Sequence, residues 1–238
     1  MQNYSAPRPM RFYDHGLPYL GGLDVKGRLI VIEGPDASGR STQIAALIEK
    51  LEAEGHAVVS TGLKRSELIS QGIINAKRDL GTGKRTLSLF YAADFADQLE
   101  NKIIPALRSG YIVLADRYIY TLMARDVVRG MDRKWCNDLF GFAVVPDLIF
   151  SLEVQPSELV HRVFQRQNTL DFYEAGMDMG IAEDMYASFI QYQRLIAGEF
   201  RRMERRYGMI PVDGERETSV VETELENRIL NFLASQTH

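Results

Sequence analysis

The sequence has only one cysteine, Cys136, so an internal disulfide and a cysteine-rich zinc site are both excluded. A lone thiol fits the reducing cytosol. Long apolar runs are missing too, since none approaches the roughly 20 residues of a membrane-spanning helix. The N-terminus lacks the basic start and apolar stretch of a secretion signal. Together these absences predict a cytoplasmic protein without a membrane partner.

Positive charge is not in excess either. The chain carries 28 basic and 32 acidic residues, which gives a formal net charge of -4. No global field therefore attracts nucleic acid, and we expect no nucleic-acid partner. Any bound anion must be held by donors placed locally. Apolar residues make up 45% of the 238 residues and charged residues 25%, the balance of a soluble domain with a core.

Beyond Gly27, short apolar runs alternate with helical patterns. The runs predict strands at residues 28–33, 56–60, 111–115, 147–152 and 209–212. Helices are predicted over residues 41–54, 86–109, 156–168 and 180–207 and at the C-terminus. This alternation predicts an α/β fold, one three-layer domain over residues 27–238 with a mostly parallel five-stranded sheet flanked by helices. Residues 1–26 have no helical or strand period and are predicted to be an N-terminal extension that lies on the domain or stays mobile.

The segment Gly34–Thr42 (GPDASGRST) has the spacing of a Walker A phosphate-binding loop, with Arg40 where lysine is usual. Glycines let backbone N–H groups point at phosphate oxygens, and the following helix adds its own unpaired N–H groups. The alternative is a plain strand-to-helix turn. Because the loop lies between a predicted strand and a predicted helix, we favour phosphate binding. The predicted nucleotide-binding residues are Gly34, Ala37, Ser38, Gly39, Arg40, Ser41 and Thr42.

Arg40 changes what this loop predicts about turnover. A guanidinium keeps the positive charge, but it is a planar fork and cannot take the position of a compact ammonium between the β- and γ-phosphates. Nucleotide binding is therefore a safer inference than fast catalysis. Ser41 can offer its hydroxyl to Mg²⁺.

Five segments together resemble thymidylate kinases, in the order of that family. They are GRLIVIEGPDASGRSTQ (27–43), LFYAADFADQLE (89–100), LADRY (114–118), PDLIFSLEV (146–154) and DFYEAG (171–176). The resemblance covers about residues 27–215. It implies a P-loop nucleoside monophosphate kinase fold with a lid at about residues 164–178, ATP and Mg²⁺ as cofactors, a homodimer, and transfer of a phosphate from ATP to a nucleoside monophosphate, dTMP being favoured.

The same resemblance implies roles for single residues. Arg117 is similar to the arginine that holds the acceptor's phosphate, and Asp116 would act on Mg²⁺ together with Ser41 or orient Arg117. The implied acceptor-site residues are Asp36, Arg65, Phe90, Gln98, Arg117, Tyr118 and Arg125. Three alternatives stay open. The Asp116–Arg117 pair could be a structural ion pair, Arg65 a solvated surface charge, and Phe90 a core residue rather than a ring stacked on the base.

The lid is implied to supply the arginine that neutralises charge on the transferred phosphoryl group. Some members of the family carry this arginine in the phosphate loop, but Ala37 occupies that position here. Arg166 is therefore the first candidate, while Arg162 could be a solvated charge. The implied catalytic residues are Asp36, Arg40, Arg117 and Arg166.

Two further departures lie in the implied acceptor site. Phe95 stands where the family has an arginine that reads the thymine edge, and Arg125 stands where it has an aromatic beside the sugar. We hypothesise that Arg125 reaches into the site and partly replaces the missing guanidinium. Two functions remain as alternatives to dTMP phosphorylation: a related P-loop kinase acting on another nucleotide or nucleoside, and a nucleotide-binding homologue in which Arg40 has ended catalysis.

Overall fold

The structure is a computed structural model that describes residues 7–20, 22–78, 82–167 and 169–236, with the side chains of 166 and 167 excepted. Its strands are β1 (Arg8–Pro9), β2 (Asp24–Val25), β3 (Arg28–Glu33), β4 (Val58–Gly62), β5 (Ile112–Asp116), β6 (Leu148–Glu153) and β7 (Ile210–Asp213). The last five form one sheet in the order β4-β5-β3-β6-β7. All four pairings are parallel, so the predicted sheet is confirmed.

Helices cover both faces of this sheet. They are α1 (Arg40–Ala53), α2 (Ser70–Arg78), α3 (Lys84–Gln98), α4 (Ile104–Arg108), α5 (Ile119–Val128), α6 (Arg133–Leu139), α7 (Pro156–Gln167), α8 (Met185–Tyr207) and α9 (Thr218–Ser235). The single helix predicted over 86–109 is divided by a π-helical turn at Leu99–Ile103. Pro105 lies just after this turn and cannot donate a backbone hydrogen bond into it, which accounts for the change in helical winding. Helices α2, α5 and α6 were not predicted.

Alternate residues of the central strands supply two separate cores. Leu29 and Val31 of β3 face a cluster that includes side chains of α3, α5 and α8. Ile30 and Ile32 face the other side, where α1 and α9 pack. This alternation of fully buried residues is what a parallel sheet covered on both faces requires. Among the described residues, no helix combines the length and apolarity needed to cross a bilayer.

The described part of the N-terminal extension packs on the domain. β1 and β2 pair as an antiparallel hairpin, and Phe12 forms a bridge with Val144. The Arg8 guanidinium donates to both carboxylate oxygens of Asp147 at 2.5 and 2.6 Å. Asp147 also accepts the backbone N–H of Leu29, at 2.9 Å, so the extension is tied to the first residues of the central strand.

Candidate active site

The phosphate loop connects the central strand β3 to α1. Gly39 is the N-cap of α1, and no side chain caps this helix end, so its first N–H groups are available to an anion. The loop needs a left-handed backbone at Ala37 (φ 63°) and at Gly39 (φ 91°). Gly34 is needed for space, since a Cβ there would lie 2.9 Å from the backbone oxygen of Leu152. Gly34 thus lets the loop pack against β6, and the start of α1 is left without a side-chain cap.

Arg40 lies along this loop rather than pointing to solvent. Its Nε donates to Asp116 at 2.9 Å, and one terminal nitrogen donates to the carbonyl of Gly34 at 2.6 Å, to the carbonyl of Pro35 and to the hydroxyl of Ser38 at 3.1 Å. The residue is only 8% exposed. Burial and the nearby Arg117 charge lower the pKa of Arg40 to about 10 although Asp116 and Asp36 favour its charged form. It therefore stays cationic at neutral pH.

Asp36 of the loop lies between two arginines. Its two carboxylate oxygens accept from Arg117 at 2.6 Å and from Arg125 at 2.9 Å. Burial raises the pKa of Asp36, but the charges of Arg117 and Arg125 outweigh burial and hold its pKa well below the ordinary value. Asp36, Arg117 and Arg125 form a cluster, the arginine cluster, with two positive charges and one negative charge. Its net charge suits it to an anionic ligand.

A buried glutamate, which the sequence reasoning missed, fixes the chain that carries Arg117. Glu33 ends β3, and one of its oxygens accepts the backbone N–H groups of Tyr118 at 2.9 Å and Thr121 at 3.2 Å. The other accepts the Thr121 hydroxyl at 2.5 Å. Arg117 has a left-handed backbone (φ 72°), a strained conformation for a non-glycine residue. The contacts of Glu33 hold the next residues and so support this turn.

Asp116 and Ser41 form the candidate metal site. The Ser41 hydroxyl donates to Asp116 at 2.8 Å, and a carboxylate beside a hydroxyl is the oxygen donor set that Mg²⁺ accepts. Burial raises the pKa of Asp116, while Arg40 and Ser41 lower it, and the net shift is downward, so its carboxylate is ionised. Arg65, with a side chain 40% exposed, lies 3.9 Å from Asp116. Asp116 and Ser41 fit the ion. Asp116 is the last residue of β5, and Ser41 lies in the first turn of α1.

A cavity of about 250 Å³ adjoins the arginine cluster. Arg125 lines it while pairing with Asp36. Its walls come from α3, α5 and the segment that follows α7. The lining includes Leu87, Ser88 and Tyr91 of α3 and Leu122, Arg125 and Asp126 of α5. A cavity beside a cluster of net positive charge is a candidate site for an anionic small molecule.

Of the predicted acceptor-site residues, Arg125 lines this cavity, whereas Asp36, Arg117 and Arg65 do not, and the other three contact different parts of the domain. The Phe90 ring lies close to Gly72, where an added Cβ would be 2.8 Å from the ring. Gln98 is buried and bonds Thr61 at 2.7 Å and Asp94 at 3.0 Å. Tyr118 is buried and donates its hydroxyl to the carbonyl of Val144 at 2.9 Å. The side chains of these three residues thus contact other parts of the domain.

Tyr91, not Phe90, lines the cavity from α3, and Phe172 and Tyr173 contribute two further aromatic residues. The sequence itself indicates Tyr91 as the aromatic position of the family pattern. In the family pattern L-L-F-x-A-[DN]-R, the third position falls on Tyr91 when the aspartate falls on Asp94. Phe95 packs edge-to-face against Tyr118 with the ring centroids 4.9 Å apart, and it is buried in the core. It therefore has no part in the cavity lining.

The lid candidates are only partly described. The side chain of Arg166 lies outside the described residues. Arg162 donates to Glu158 one turn earlier on α7, at 2.7 Å, so its charge is already paired. Residues 172–174 of the following segment line the cavity. Arg129, the residue after α5, donates to the carbonyl of Tyr173 at 2.9 Å, which connects this segment to the cavity wall.

Fold and site together define a P-loop phosphotransferase. A family model described as thymidylate kinase matches residues 32–203. "Probable thymidylate kinase 2" of Saccharolobus solfataricus is 34% identical over 88% of this chain and 98% of its own length. The thymidylate kinase of Ruegeria pomeroyi is 31% identical over 87% of this chain and 96% of its own length. "Probable thymidylate kinase" of Thermococcus kodakarensis is 34% identical over 60% of this chain and 74% of its own length.

The chain belongs to the thymidylate kinase family. The reaction of this family is the ATP-dependent phosphorylation of dTMP to dTDP. The expected family, the α/β fold and the phosphotransferase function are thereby confirmed.

Proposed function

We propose that this chain phosphorylates dTMP with ATP at the junction of the phosphate loop, the Asp36–Arg117–Arg125 cluster and the adjoining cavity. The observation that carries the proposal is the position of Asp36. It belongs to the loop that holds the donor's phosphates, and it also pairs with the two arginines beside the acceptor cavity. One carboxylate thus connects the donor and acceptor halves of the site.

On the donor side, backbone N–H groups of residues 37–42 would surround the phosphates, aided by the positive end of α1. Arg40 supplies a fixed positive charge in the loop. Charge that spreads over the transferred phosphoryl group is stabilised best by donors that are already in place, because they need no rearrangement during the reaction. The hydrogen bonds of Arg40 to the loop provide this pre-organisation.

On the acceptor side, Arg117 would hold the phosphate of dTMP, with Arg125 and the more exposed Arg65 in support. Only one terminal nitrogen of Arg117 bonds Asp36, and its other terminal nitrogen has no hydrogen bond to the described residues. Donors of this guanidinium therefore remain for a phosphate. The attacking phosphate oxygen is already anionic, so positioning contributes most of the catalysis and no general base is needed.

Ser41 and Asp116 would hold Mg²⁺. The ion would neutralise charge on the phosphates when bound. Asp116 also pairs with Arg40 and Arg65, so it keeps these cations near the phosphate end of the site. The positive charges of Arg40 and Arg65 are thereby held around the ionised carboxylate of Asp116.

The lid arginine is tested by a matched pair of variants. We expect Arg166→Ala to lower kcat by about 100-fold with little change in the KM for dTMP, because its charge is needed mainly in the transition state. Arg162→Ala is the control on the same helix, and we expect it to stay within about twofold since its partly exposed pair with Glu158 is worth little. Initial rates at varied dTMP measure both. Equal kinetics for the two variants would remove Arg166 from the mechanism.

An acceptor panel tests the substrate class. Purified protein with ATP and Mg²⁺ is assayed against thymidine, dTMP and monophosphates carrying other bases. We expect dTMP to give the highest kcat/KM and thymidine to be inactive, because the arginine cluster requires a phosphate. Phosphorylation of thymidine, or a stronger preference for another monophosphate, would favour a related kinase instead.

We also propose a cytoplasmic homodimer. Leu68, Ile74 and Leu89 are large apolar residues with 77%, 38% and 48% of their surface exposed, and they lie on or just before the packed helices α2 and α3. A second copy of the chain would bury them. Light scattering after size exclusion should give twice the mass of the chain, and a monomer at micromolar concentration would refute the dimer.

A further inference from the structure

The N-terminal extension, to which the function described so far gives no role, contacts the first turn of α5. The hydroxyl groups of Tyr13 and Tyr120 form a hydrogen bond, and Tyr120 is the second residue of α5. The Tyr13 ring packs edge-to-face on the rings of Tyr120 and Tyr207, with the centroids 6.3 and 5.3 Å apart. Tyr207 is the last residue of α8, and its ring lies 5.1 Å from that of Tyr120. Tyr13 thus joins the start of α5 to the end of α8.

The backbone of the same extension supports the residue that follows Arg117. Two backbone hydrogen bonds, at 2.8 and 3.1 Å, join residues 11–13 to residues 143–145. They lie on either side of Val144, whose carbonyl accepts the hydroxyl of Tyr118 at 2.9 Å. Tyr118 directly follows Arg117 and is the N-cap of α5. The extension is therefore connected to the start of α5 by a second set of contacts.

The backbone of Arg117 needs support because it is strained. Its φ of 72° is left-handed, and a non-glycine residue keeps such a conformation only where the surrounding structure fixes it. Glu33 holds the next residues from the end of β3, since it accepts the N–H groups of Tyr118 and Thr121. The extension acts instead on the side chains of Tyr118 and Tyr120. The turn is therefore held by the sheet through its backbone and by the extension through its side chains.

The hydrogen bond between the two tyrosines persists at the pH of an assay. Burial raises the pKa of Tyr13 to about 12, and it raises the pKa of Tyr120 well above its usual value. Both hydroxyls therefore stay protonated at neutral and mildly alkaline pH, so one can donate to the other.

We propose that Tyr13 is a positioning residue for Arg117. By holding the first turn of α5, it keeps the guanidinium of Arg117 where that group pairs with Asp36 and meets the acceptor phosphate. A displacement of about 1 Å in a positioning group is enough to slow a reaction considerably, because the reacting atoms must be held at a defined separation. This inference rests on the proposed role of Arg117 in the acceptor site.

Two tyrosines of the extension give a matched pair of variants. Tyr19 is 67% exposed, and its hydroxyl donates to Glu100 in the π-helical turn at 2.5 Å. We expect Tyr13→Ala to raise the KM for dTMP by about 10-fold and to leave the KM for ATP within about twofold, since the loop amides are untouched. Tyr19→Ala should leave both constants within about twofold. Tyr13→Phe keeps the ring and loses the hydroxyl, so its KM for dTMP should rise only about threefold.

A double-mutant cycle shows whether Tyr13 acts through Arg117. If it does, adding Tyr13→Ala to Arg117→Ala should change kcat/KM for dTMP by less than about twofold. Effects that multiply in the double variant would overturn the inference. A merely structural role would lower the fraction of folded protein, and this lowers the apparent kcat without raising the KM for dTMP alone.

Hydrogen exchange of the free protein tests the same coupling without the reaction. The N–H groups of Tyr118 and Thr121 should exchange faster in Tyr13→Ala than in wild-type protein, and Tyr19→Ala should leave them unchanged. Unchanged exchange in Tyr13→Ala, or faster exchange with an unchanged KM for dTMP, would overturn the inference and leave the proposed function intact. If Tyr13→Ala does not fold, Tyr13→Phe provides both readouts.

Calorimetry separates this inference from the proposed reaction. If the wild-type protein does not phosphorylate dTMP, the proposed function fails, and the dissociation constant for dTMP takes the place of its KM. Weaker binding of dTMP by Tyr13→Ala than by wild-type protein would then support the positioning role. Equal dissociation constants, or no binding of dTMP by either protein, would overturn it.

Discussion

Replacing Arg117 with alanine is expected to lower kcat/KM for dTMP by about 100- to 1,000-fold, through both a higher KM and a lower kcat. Two losses add together. In the proposed mechanism the acceptor phosphate loses its main donor, and the partly buried carboxylate of Asp36 loses the closer of its two partners, at 2.6 Å. The KM for ATP should change much less, since the loop amides are untouched. Initial rates at varied dTMP and varied ATP measure each effect.

Two further variants separate the side chain from the backbone at this position. Arg117 has φ 72°, where alanine is strained and glycine is not. Arg117→Gly should therefore be as inactive as Arg117→Ala but more stable in thermal unfolding. Arg117→Lys should recover part of the activity, because it restores the charge without the planar fork. Wild-type kinetics in the alanine variant would refute the role of Arg117.

Replacing Arg40 with alanine is expected to lower kcat by about 100- to 1,000-fold. Arg40 is buried and bonds the loop at Gly34, Pro35 and Ser38 as well as Asp116. Its removal takes away the fixed positive charge nearest the loop and leaves Asp116 without its closest cationic partner. Stopped-flow or steady-state rates at saturating ATP and dTMP measure the loss.

Arg40→Lys is the informative control for the same position. If the arginine supports catalysis, the lysine variant should stay within about tenfold of the wild-type kcat, because either cation can stabilise the phosphates. A wild-type protein that binds ATP without turnover, with activity appearing only in Arg40→Lys, would show that this arginine has ended catalysis. That result would favour the nucleotide-binding homologue over the kinase.

Local sequence patterns were sufficient for most of the fold. The β-branched run at Arg28–Glu33 and the glycine-rich segment after it predicted the central strand, the loop and the start of α1 within one residue. Strand β4 was predicted two residues early, at 56–60 instead of Val58–Gly62. Helix α6 has only seven residues, Arg133–Leu139, too few for a clear helical period.

The site was harder to predict because its geometry depends on distant parts of the chain. Asp36 and Arg117 were both proposed from the sequence, but their pairing joins residues 81 positions apart. Ser88 and Asp126 carry no motif and become recognisable only when α3 and α5 pack beside one cavity. Glu33 was counted as a strand residue. Its contacts with Tyr118 and Thr121 show that it also holds the residues that follow Arg117.

The most direct measurement is the identity and stoichiometry of the products formed from dTMP and ATP with Mg²⁺. Purified protein is incubated with both nucleotides, and the mixture is separated by anion-exchange chromatography. Direct transfer at the phosphate loop should yield dTDP and ADP in equal amounts, and neither should form with Arg117→Ala on the same timescale. ATP that remains intact although it binds, or ADP that forms without dTDP, would contradict the proposed phosphoryl transfer.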